Sequence, residues 1–179
     1  MRKQAGAEGF SLIEVLIAMI VLAVGLLGGI SVICVATANN GRSRLNTTAA
    51  TLAESTLERI MAVPVRATGA NAVTTLTDCK GNTFTINTAP GGLAVINAGP
   101  FGGVQEDFSQ LPAAGYSMQY VVCSSSQGIP YDVRWTVDAG PTIGTEMVTV
   151  SAKPLPGTAT TAGAVFSRPV TLRSLRVDF

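Results

Sequence analysis

The distribution of hydrophobic residues divides the chain into an apolar N-terminal segment and a longer region of mixed polarity. No residue from Val15 to Gly41 is charged. An uninterrupted apolar run longer than about 18 residues is typical of a membrane-spanning helix. The pattern therefore predicts a transmembrane helix over residues 10–38.

The same helix is predicted to continue beyond the membrane, over residues 39–63. The segment from Arg42 to Val63 contains neither proline nor glycine. The mostly apolar positions of this segment lie on one face of the predicted helix; they are Ala49, Leu52, Ala53, Thr56, Leu57, Ile60 and Val63. Pro64 is expected to end the helix, because the residue before a proline avoids helical geometry. The poor helix formers Asn39-Asn40-Gly41 leave a break into two helices open.

Beyond Pro64 the hydrophobic period changes to two, which is typical of strands with one buried face. In the clearest case, apolar and aromatic residues alternate with polar ones from Tyr131 to Asp138. Further strands are predicted at Tyr116–Cys123, Val148–Ala152, Val170–Val177 and Thr83–Asn87, with Ser124–Pro130 as a hairpin loop. Two segments rich in glycine, proline, threonine and alanine are predicted to be irregular surface loops, at Thr88–Ala114 and Lys153–Ala164.

Strands in sequence with turn-length connections predict an antiparallel meander. One face of this sheet is expected to pack on the amphipathic part of the helix. The predicted fold class is therefore α+β, with a long N-terminal transmembrane and amphipathic helix packed on an antiparallel sheet. The sheet domain is assigned to residues 64–179.

Glu14 is a charged residue at the start of the apolar segment. A charged side chain at the centre of a span costs about 2.5–3.5 kcal/mol on insertion scales, and less near the interface. An intramembrane carboxylate therefore indicates a function and calls for a positive partner. The chain itself offers no cation between Val15 and Gly41.

The residues around Glu14 resemble a known signal. Gly9-Phe10-Ser11-Leu12-Ile13-Glu14 is similar to the N-terminal signal of type IV prepilins and type II secretion pseudopilins. The continuation to Gly28 resembles, more narrowly, the minor pilins called PilV. Glu8 departs from the family, which usually has a basic or neutral residue before the glycine. The resemblance implies a pilin-like fold, which agrees with the pattern of helix and strands.

The resemblance also implies a processing pathway and a set of partners. A prepilin peptidase would cut between Gly9 and Phe10 and methylate the new amine of Phe10. Residues 1–9 would be a leader whose basic residues stay in the cytoplasm, as the positive-inside rule expects. The amine of Phe10 in a neighbouring subunit would then neutralise Glu14. The expected partners are the major pilin, other minor pilins and the inner-membrane assembly platform.

Three other interpretations of the N-terminus remain. A secretory signal could be removed after Ala36-Thr37-Ala38, although the apolar run is longer than the usual ~7–15 residues of such signals. A lipoprotein modified at Cys34 is disfavoured by the bulky Ile33 before it. A plain signal anchor would make Glu14 incidental. The prepilin interpretation places the subunit first in the inner membrane, with its domain outside the cytoplasm, and then in an extracellular fibre.

Charge and cysteine usage fit an exported domain. The net charge is +1, and loss of Arg2, Lys3 and Glu8 with the leader would leave the side chains neutral. Neutrality gives no support to a nucleic-acid partner. Cys79 and Cys123 would both lie in the exported domain, where oxidising conditions permit a disulfide, but the sequence does not fix their geometry.

Catalytic chemistry finds little support in this sequence. The chain contains no histidine, which removes the commonest general base and most zinc sites. Glu106 and Asp107 are adjacent carboxylates without a fold signal that would make them an acid–base pair. We therefore expect no enzyme, no cofactor, no metal and no small-molecule substrate. Arg168, Arg173 and Arg176 are expected to be ordinary exposed charges on the last strand.

Three functional hypotheses follow from the sequence. The first is a minor pilin, a structural subunit for assembly of a type IV pilus. The second is a type II secretion pseudopilin, which shares every N-terminal feature. The third is a membrane-anchored adhesin or DNA-binding module, for which Glu14 would have no inter-subunit role.

Overall fold

The computed structural model describes residues 11–65, 72–97, 103–124, 127–155 and 168–177. These residues form one α-helix and eight β-strands. The elements are α1 (Leu12–Met61), β1 (Val73–Thr77), β2 (Thr83–Asn87), β3 (Val95–Asn97), β4 (Val104–Glu106), β5 (Ser117–Ser124), β6 (Gln127–Ala139), β7 (Thr145–Pro154) and β8 (Val170–Val177). The chain divides into two compact units, residues 1–40 and 41–179.

The main sheet is an antiparallel meander in the order β5-β6-β7-β8. Trp135 of β6 lies opposite Val150 of β7, which in turn lies opposite Leu172 of β8. Directly opposed residues project to the same side of a sheet, so these three share one face, here called the inner face. The long helix and the antiparallel sheet confirm the predicted α+β fold class.

The hydrophobic core joins the inner face to the second half of α1. The helix contributes residues spaced three and four apart, which are Leu45, Ala49, Leu52, Ala53, Thr56 and Ile60. The sheet contributes Tyr131, Val133, Trp135 and Val137 from β6 and Val148, Val150 and Ala152 from β7. Polar atoms in this core are paired, since the Thr56 hydroxyl donates to the carbonyl of Leu52 at 2.8 Å. The predicted stripe is confirmed, except that Leu57 and Val63 are only half-buried.

Helix α1 runs through Asn39-Asn40-Gly41, so the alternative of two helices is not observed. The helix ends at Met61, three residues before Pro64. Beyond it, the N–H of Ala62 donates to the carbonyl of Glu58 at 2.9 Å, and the N–H of Val63 donates to that of Ile60 at 3.2 Å. The switch from a four-residue to a three-residue step tightens the last turn, as helix ends commonly do.

The prediction of an irregular loop over Thr88–Ala114 is wrong in part, because it contains β3 and β4. These strands form an antiparallel pair in which Val95 lies opposite Glu106. The Gly91 N–H and C=O exchange hydrogen bonds with Val137, both 2.8 Å long. A Cβ on Gly92, whose φ is +109°, would lie 2.7 Å from the Trp135 carbonyl oxygen. The glycines therefore permit close approach to the sheet here, in addition to turning the chain.

Because of this segment, strand β6 is buried on both faces rather than on one. Arg134 and Thr136 point away from the inner face, yet their exposed fractions are 6% and 2%. The Arg134 guanidinium donates to the carbonyls of Asp107 and Gln110 at 2.9 and 2.8 Å. Residues 103–110 thus lie on the outer face of the sheet, and we call them the cover segment.

The predicted hairpin between β5 and β6 is confirmed, but its predicted loop over Ser124–Pro130 is too long, because β5 extends to Ser124 and β6 begins at Gln127. Pro130 lies opposite Val121 within the ladder. Its carbonyl accepts from the N–H of Leu155 at 2.9 Å, on the side away from β5. A strand residue directs its N–H and C=O to the same side, so β5 does not require the donor that proline lacks.

A second hairpin, β1–β2, flanks the main sheet. The predicted strand Thr83–Asn87 is confirmed, whereas its partner Val73–Thr77 was not predicted from the sequence. Asp78 closes the turn, since one carboxylate oxygen accepts from the N–H groups of Lys80 and Asn82 at 2.9 and 2.8 Å. Cys79 in this turn forms a disulfide with Cys123 of β5, with Cα atoms 5.9 Å apart. The expected bond is therefore present and ties the hairpin to the sheet.

Removing this bond is expected to destabilise the sheet domain. The cysteines are 44 residues apart, and closing such a loop stabilises by up to about 4 kcal/mol in the chain-entropy model. We expect a Cys79→Ser/Cys123→Ser variant to unfold with a free energy lower by about 2–4 kcal/mol in denaturant titrations. Cys34→Ser is the matched control, because Cys34 is free and exposed. Equal unfolding midpoints for the two variants would contradict this expectation.

Arg176 corrects a further prediction, that the arginines of the last strand are exposed. Its exposed fraction is 3%, and its guanidinium forms an ion pair with Glu146, the residue opposite it on β7. The same guanidinium donates to the carbonyls of Ile60, Val63 and Thr88 at 3.0, 3.2 and 2.7 Å. A cation at the carbonyl end of a helix is favourable, because that end carries partial negative charge. Arg176 therefore fastens the end of α1 to the sheet.

Candidate assembly site in the N-terminal helix

The first half of α1 exposes apolar side chains on every side. All its large hydrophobic residues from Leu12 to Val35 are at least 46% exposed. A globular protein in water does not retain a helix that is apolar all round, so this segment requires lipid or other helices around it. By length and composition α1 can cross a membrane, with a mean hydropathy of 2.7 in its most apolar window. Residues 12–38 rise about 40 Å, enough for a hydrocarbon layer of about 30 Å.

The hydroxyl groups of this segment form hydrogen bonds to backbone carbonyls of the same helix. The Ser31 hydroxyl donates to the carbonyl of Leu27 at 2.6 Å, and the Thr37 hydroxyl donates to that of Ile33 at 2.8 Å. Such bonds to the preceding turn remove the need for an external partner. Glu14 is the one charged side chain of residues 12–38.

Glu14 lies in the first turn of α1 and is exposed. The Ser11 carbonyl accepts from the N–H groups of Glu14 and Val15 at 3.0 and 3.2 Å, which starts the helix. A carboxylate in a first turn is favoured by the helix dipole, and Ser11 and Glu14 have the spacing of a capping box. No side-chain hydrogen bond to Glu14 is present in the described part of the chain, so its carboxylate is free to meet another group.

Gly9 and Phe10, the predicted processing residues, lie outside the described residues. The structure therefore gives no distances or contacts for the predicted cleavage site or for the amine of Phe10. What the structure does establish is the setting of Glu14, at the start of an exposed apolar helix. A Cβ added at Gly25, Gly28 or Gly29 would meet no heavy atom within 4 Å. Packing within the described chain does not require these glycines.

A comparison with known families bears on this segment. A family model described as the prokaryotic N-terminal methylation motif matches residues 1–30. The chain carries a prepilin-type N-terminus. The matched residues include the Gly9–Phe10 junction, Glu14 and the first half of the apolar run. Searches of curated proteins and of solved structures give no significant match.

This motif supports a general assignment to type IV pilin-like or type II secretion pseudopilin-like proteins. It implies processing by a prepilin peptidase and a context of pilus assembly. Together with the apolar helix, it is consistent with membrane anchoring and a pilus fibre. It also indicates a structural subunit rather than an enzyme.

The carboxylates that could have suggested catalysis do not converge. Glu106 is fully buried, and burial raises the pKa of its carboxyl to about 7, with further repulsion from Asp138. Asp107 accepts from the hydroxyl and N–H of Ser109 and from the Gln110 amide, which lower the pKa of its carboxyl. Within the described ranges no three histidine, cysteine, aspartate or glutamate side chains cluster as metal ligands.

Two groups with structural roles were missed by sequence reasoning. Arg176 follows Leu172 and Ser174 on the inner face of β8, and this register was the available signal. Its burial leaves only Arg168 and Arg173 exposed among the three arginines of this region, which weakens the case for nucleic-acid binding there. No sequence pattern predicts the burial of Glu106, because that burial depends on the position of the cover segment.

Proposed function

We propose that the protein is a minor pilin of the PilV kind, a structural subunit for assembly of a type IV pilus. The observation that carries this proposal is Glu14, a lone carboxylate in the first turn of an exposed apolar helix. No other charged residue follows it until Arg42. The PilV-like sequence from Val15 to Gly28 favours a pilus over a secretion system.

In this proposal the chain has four parts. Residues 1–9 are a leader removed by prepilin peptidase, and residues 10–38 are the membrane-spanning part of the helix. Residues 39–63 continue the helix outside the membrane, and residues 64–179 form the exported sheet domain. The subunit waits in the inner membrane and then enters the fibre.

The chemistry of assembly follows from charge and dielectric. Cleavage after Gly9 creates an amine on Phe10, and methylation leaves that amine basic. A Phe10 ammonium of one subunit meets the Glu14 carboxylate of another when their helices stack with an axial offset. A charge pair in a low-dielectric medium adds little net stability over apolar contacts, but it specifies registry, because every other register leaves both charges unpaired. The pair therefore favours subunits that have been cleaved, and it favours one axial register between their helices.

The proposed partners are the prepilin peptidase, the major pilin, other minor pilins and the inner-membrane assembly platform. Exposed glycines in the span suit such contacts, because small residues allow helices to approach closely. The neutral side-chain charge of the mature subunit suits packing among many similar copies.

A type II secretion pseudopilin is the second candidate, because the family match covers both classes. A deletion strain separates them. We expect loss or reduction of surface pili with normal protein secretion, measured by shearing of fibres and by assay of secreted proteins. Intact pili with blocked secretion would assign the subunit to a secretion system instead.

A further inference from the structure

The cover segment, residues 103–110, is held on the outer face of the sheet by a small set of contacts. The backbone N–H of Glu106 donates to the Ser151 hydroxyl of β7 at 3.1 Å. Arg134 holds two backbone carbonyls of the segment, and its guanidinium lies 4.8 Å from the centre of the Phe108 ring. Strands β3 and β4 pair over only three residues each, so they have little stability of their own.

Glu106 is the unusual residue of this segment. Its side chain is fully buried, and neither carboxyl oxygen has a hydrogen-bond partner among the described residues. The nearby Thr136 hydroxyl donates to the carbonyl of Leu93 instead. Buried polar groups are nearly always paired, so an orphaned carboxyl in a folded protein requires an explanation.

The charged groups around Glu106 do not neutralise it. On β6, Asp138 repels a negative charge on Glu106, whereas Arg134, which is ion-paired with Asp132 at 2.8 Å, attracts it but lowers the pKa of Glu106 by less than burial raises it. On the outer face of the neighbouring strands, the Lys153 ammonium lies 5.9 Å from the centre of the Phe108 ring, and Arg173 donates to the Thr149 hydroxyl. Within the cover segment, Asp107 adds a second negative charge.

An ionised carboxylate in such a site is strongly disfavoured, whereas the neutral acid is tolerated. The buried carboxyl has its pKa at about 7 and a freely solvated one at 4.5. The raised value means that the closed arrangement binds a proton that the open one has lost. Its stability is therefore fully present below pH 4.5 and declines as pH rises through 7.

We propose that the cover segment is a pH-operated cover, which lies on the outer face of the sheet while Glu106 is protonated and detaches when Glu106 ionises. Detachment brings the carboxylate to water and uncovers the buried Thr136 and Ser151 side chains. The main four-stranded sheet keeps its ladder hydrogen bonds, so the opening is local rather than global. This device does not depend on the proposed function.

Hydrogen exchange followed by mass spectrometry tests this proposal on the full-length protein in detergent micelles. After correction for intrinsic exchange rates, protection of peptides covering residues 103–110 should fall at least about tenfold between pH 5.5 and pH 8.0. Peptides from residues 45–60 of α1 should keep their protection and serve as the internal reference. Constant protection of the cover segment across this range would overturn the proposal.

Matched variants assign the effect to Glu106. Glu106→Gln should abolish the pH dependence, Asp138→Asn should reduce it, and Glu54→Gln, which removes an exposed carboxylate of α1, should leave it unchanged. A pH dependence that persists in Glu106→Gln would overturn the proposal. If that variant fails to fold, carboxyl carbon NMR of the unaltered protein replaces it. A Glu106 titration near pH 7 supports the device, and one near pH 4.5 contradicts it.

Discussion

Replacing Glu14 with alanine is expected to remove this subunit from assembled fibres while leaving it inserted in the membrane. The incoming Glu14 would no longer neutralise the Phe10 ammonium of its neighbour, which would then stay unpaired in a low-dielectric environment. Removing one partner of a buried ion pair costs about 3–5 kcal/mol. We therefore expect the ratio of fibre-bound to membrane-bound subunit to fall by about a hundredfold or more, measured by immunoblot of sheared fibres and membranes.

Two control variants separate charge pairing from helix capping. Glu14→Gln keeps the size of the side chain, and glutamine also serves at this position of a capping box. If Glu14 acts by its charge, Glu14→Gln should be excluded from fibres as strongly as Glu14→Ala. Glu54→Gln removes a carboxylate on the part of α1 outside the proposed span and should assemble normally. Normal incorporation of Glu14→Ala would show that the carboxylate has no part in assembly.

The second large effect is expected at Arg176. Arg176→Met should lower the free energy of unfolding by about 3–5 kcal/mol, because it leaves Glu146 as a buried charge without its partner. The variant also leaves the carbonyls of Ile60, Val63 and Thr88 without the donor they share. Denaturant titration of the full-length protein in detergent, monitored by the fluorescence of Trp135, measures this loss.

Arg173→Met is the matched control for this prediction. Arg173 lies on the same strand, is exposed, and among the described residues makes one side-chain hydrogen bond, to the Thr149 hydroxyl at 3.1 Å. Its replacement should change stability by no more than about 0.5–1 kcal/mol. Adding Glu146→Met to Arg176→Met should recover part of the lost stability, since an apolar pair needs no neutralisation. Equal effects of Arg173→Met and Arg176→Met would argue against a role for the buried pair.

The elements that follow from local periodicity were predictable. The buried stripe from Ala49 to Ile60 repeats at helical spacing, and Tyr131, Val133, Trp135 and Val137 repeat at strand spacing. In both cases the spacing of apolar residues along the sequence predicts which face of the element is buried, and this prediction does not require knowledge of the fold. The α+β class and the meander follow from the order of these patterns.

The elements that depend on distant partners were not predictable. Strands β3 and β4 are three residues long and lie in a glycine-rich segment, so their composition indicates a loop. They are ordered by contacts to β6 and β7, as in the bond from the Glu106 N–H to Ser151. Arg176 was expected in solvent because an arginine is seldom buried alone. Its partner Glu146 is 30 residues away and meets it only through the register of β7 and β8.

The motif of the candidate site, in contrast to these elements, is recognisable in the sequence. This motif could be found in the sequence alone, because the roles proposed for Gly9, Phe10 and Glu14 depend on their order along the chain rather than on a folded pocket. The family match covers residues 1–30 only, so it does not identify partners of the sheet domain. The phenotype of a deletion strain distinguishes a pilus subunit from a secretion subunit.

The central claim is that the mature amine of Phe10 neutralises Glu14 in the assembled fibre. Mass spectrometry of the N-terminal peptide, taken from subunits recovered in sheared fibres, tests it most directly. We expect a single peptide that begins at Phe10 and carries one extra methyl group. Fibre-bound subunits that still begin with residues 1–9 would have no such amine beside Glu14, and that result would contradict the account.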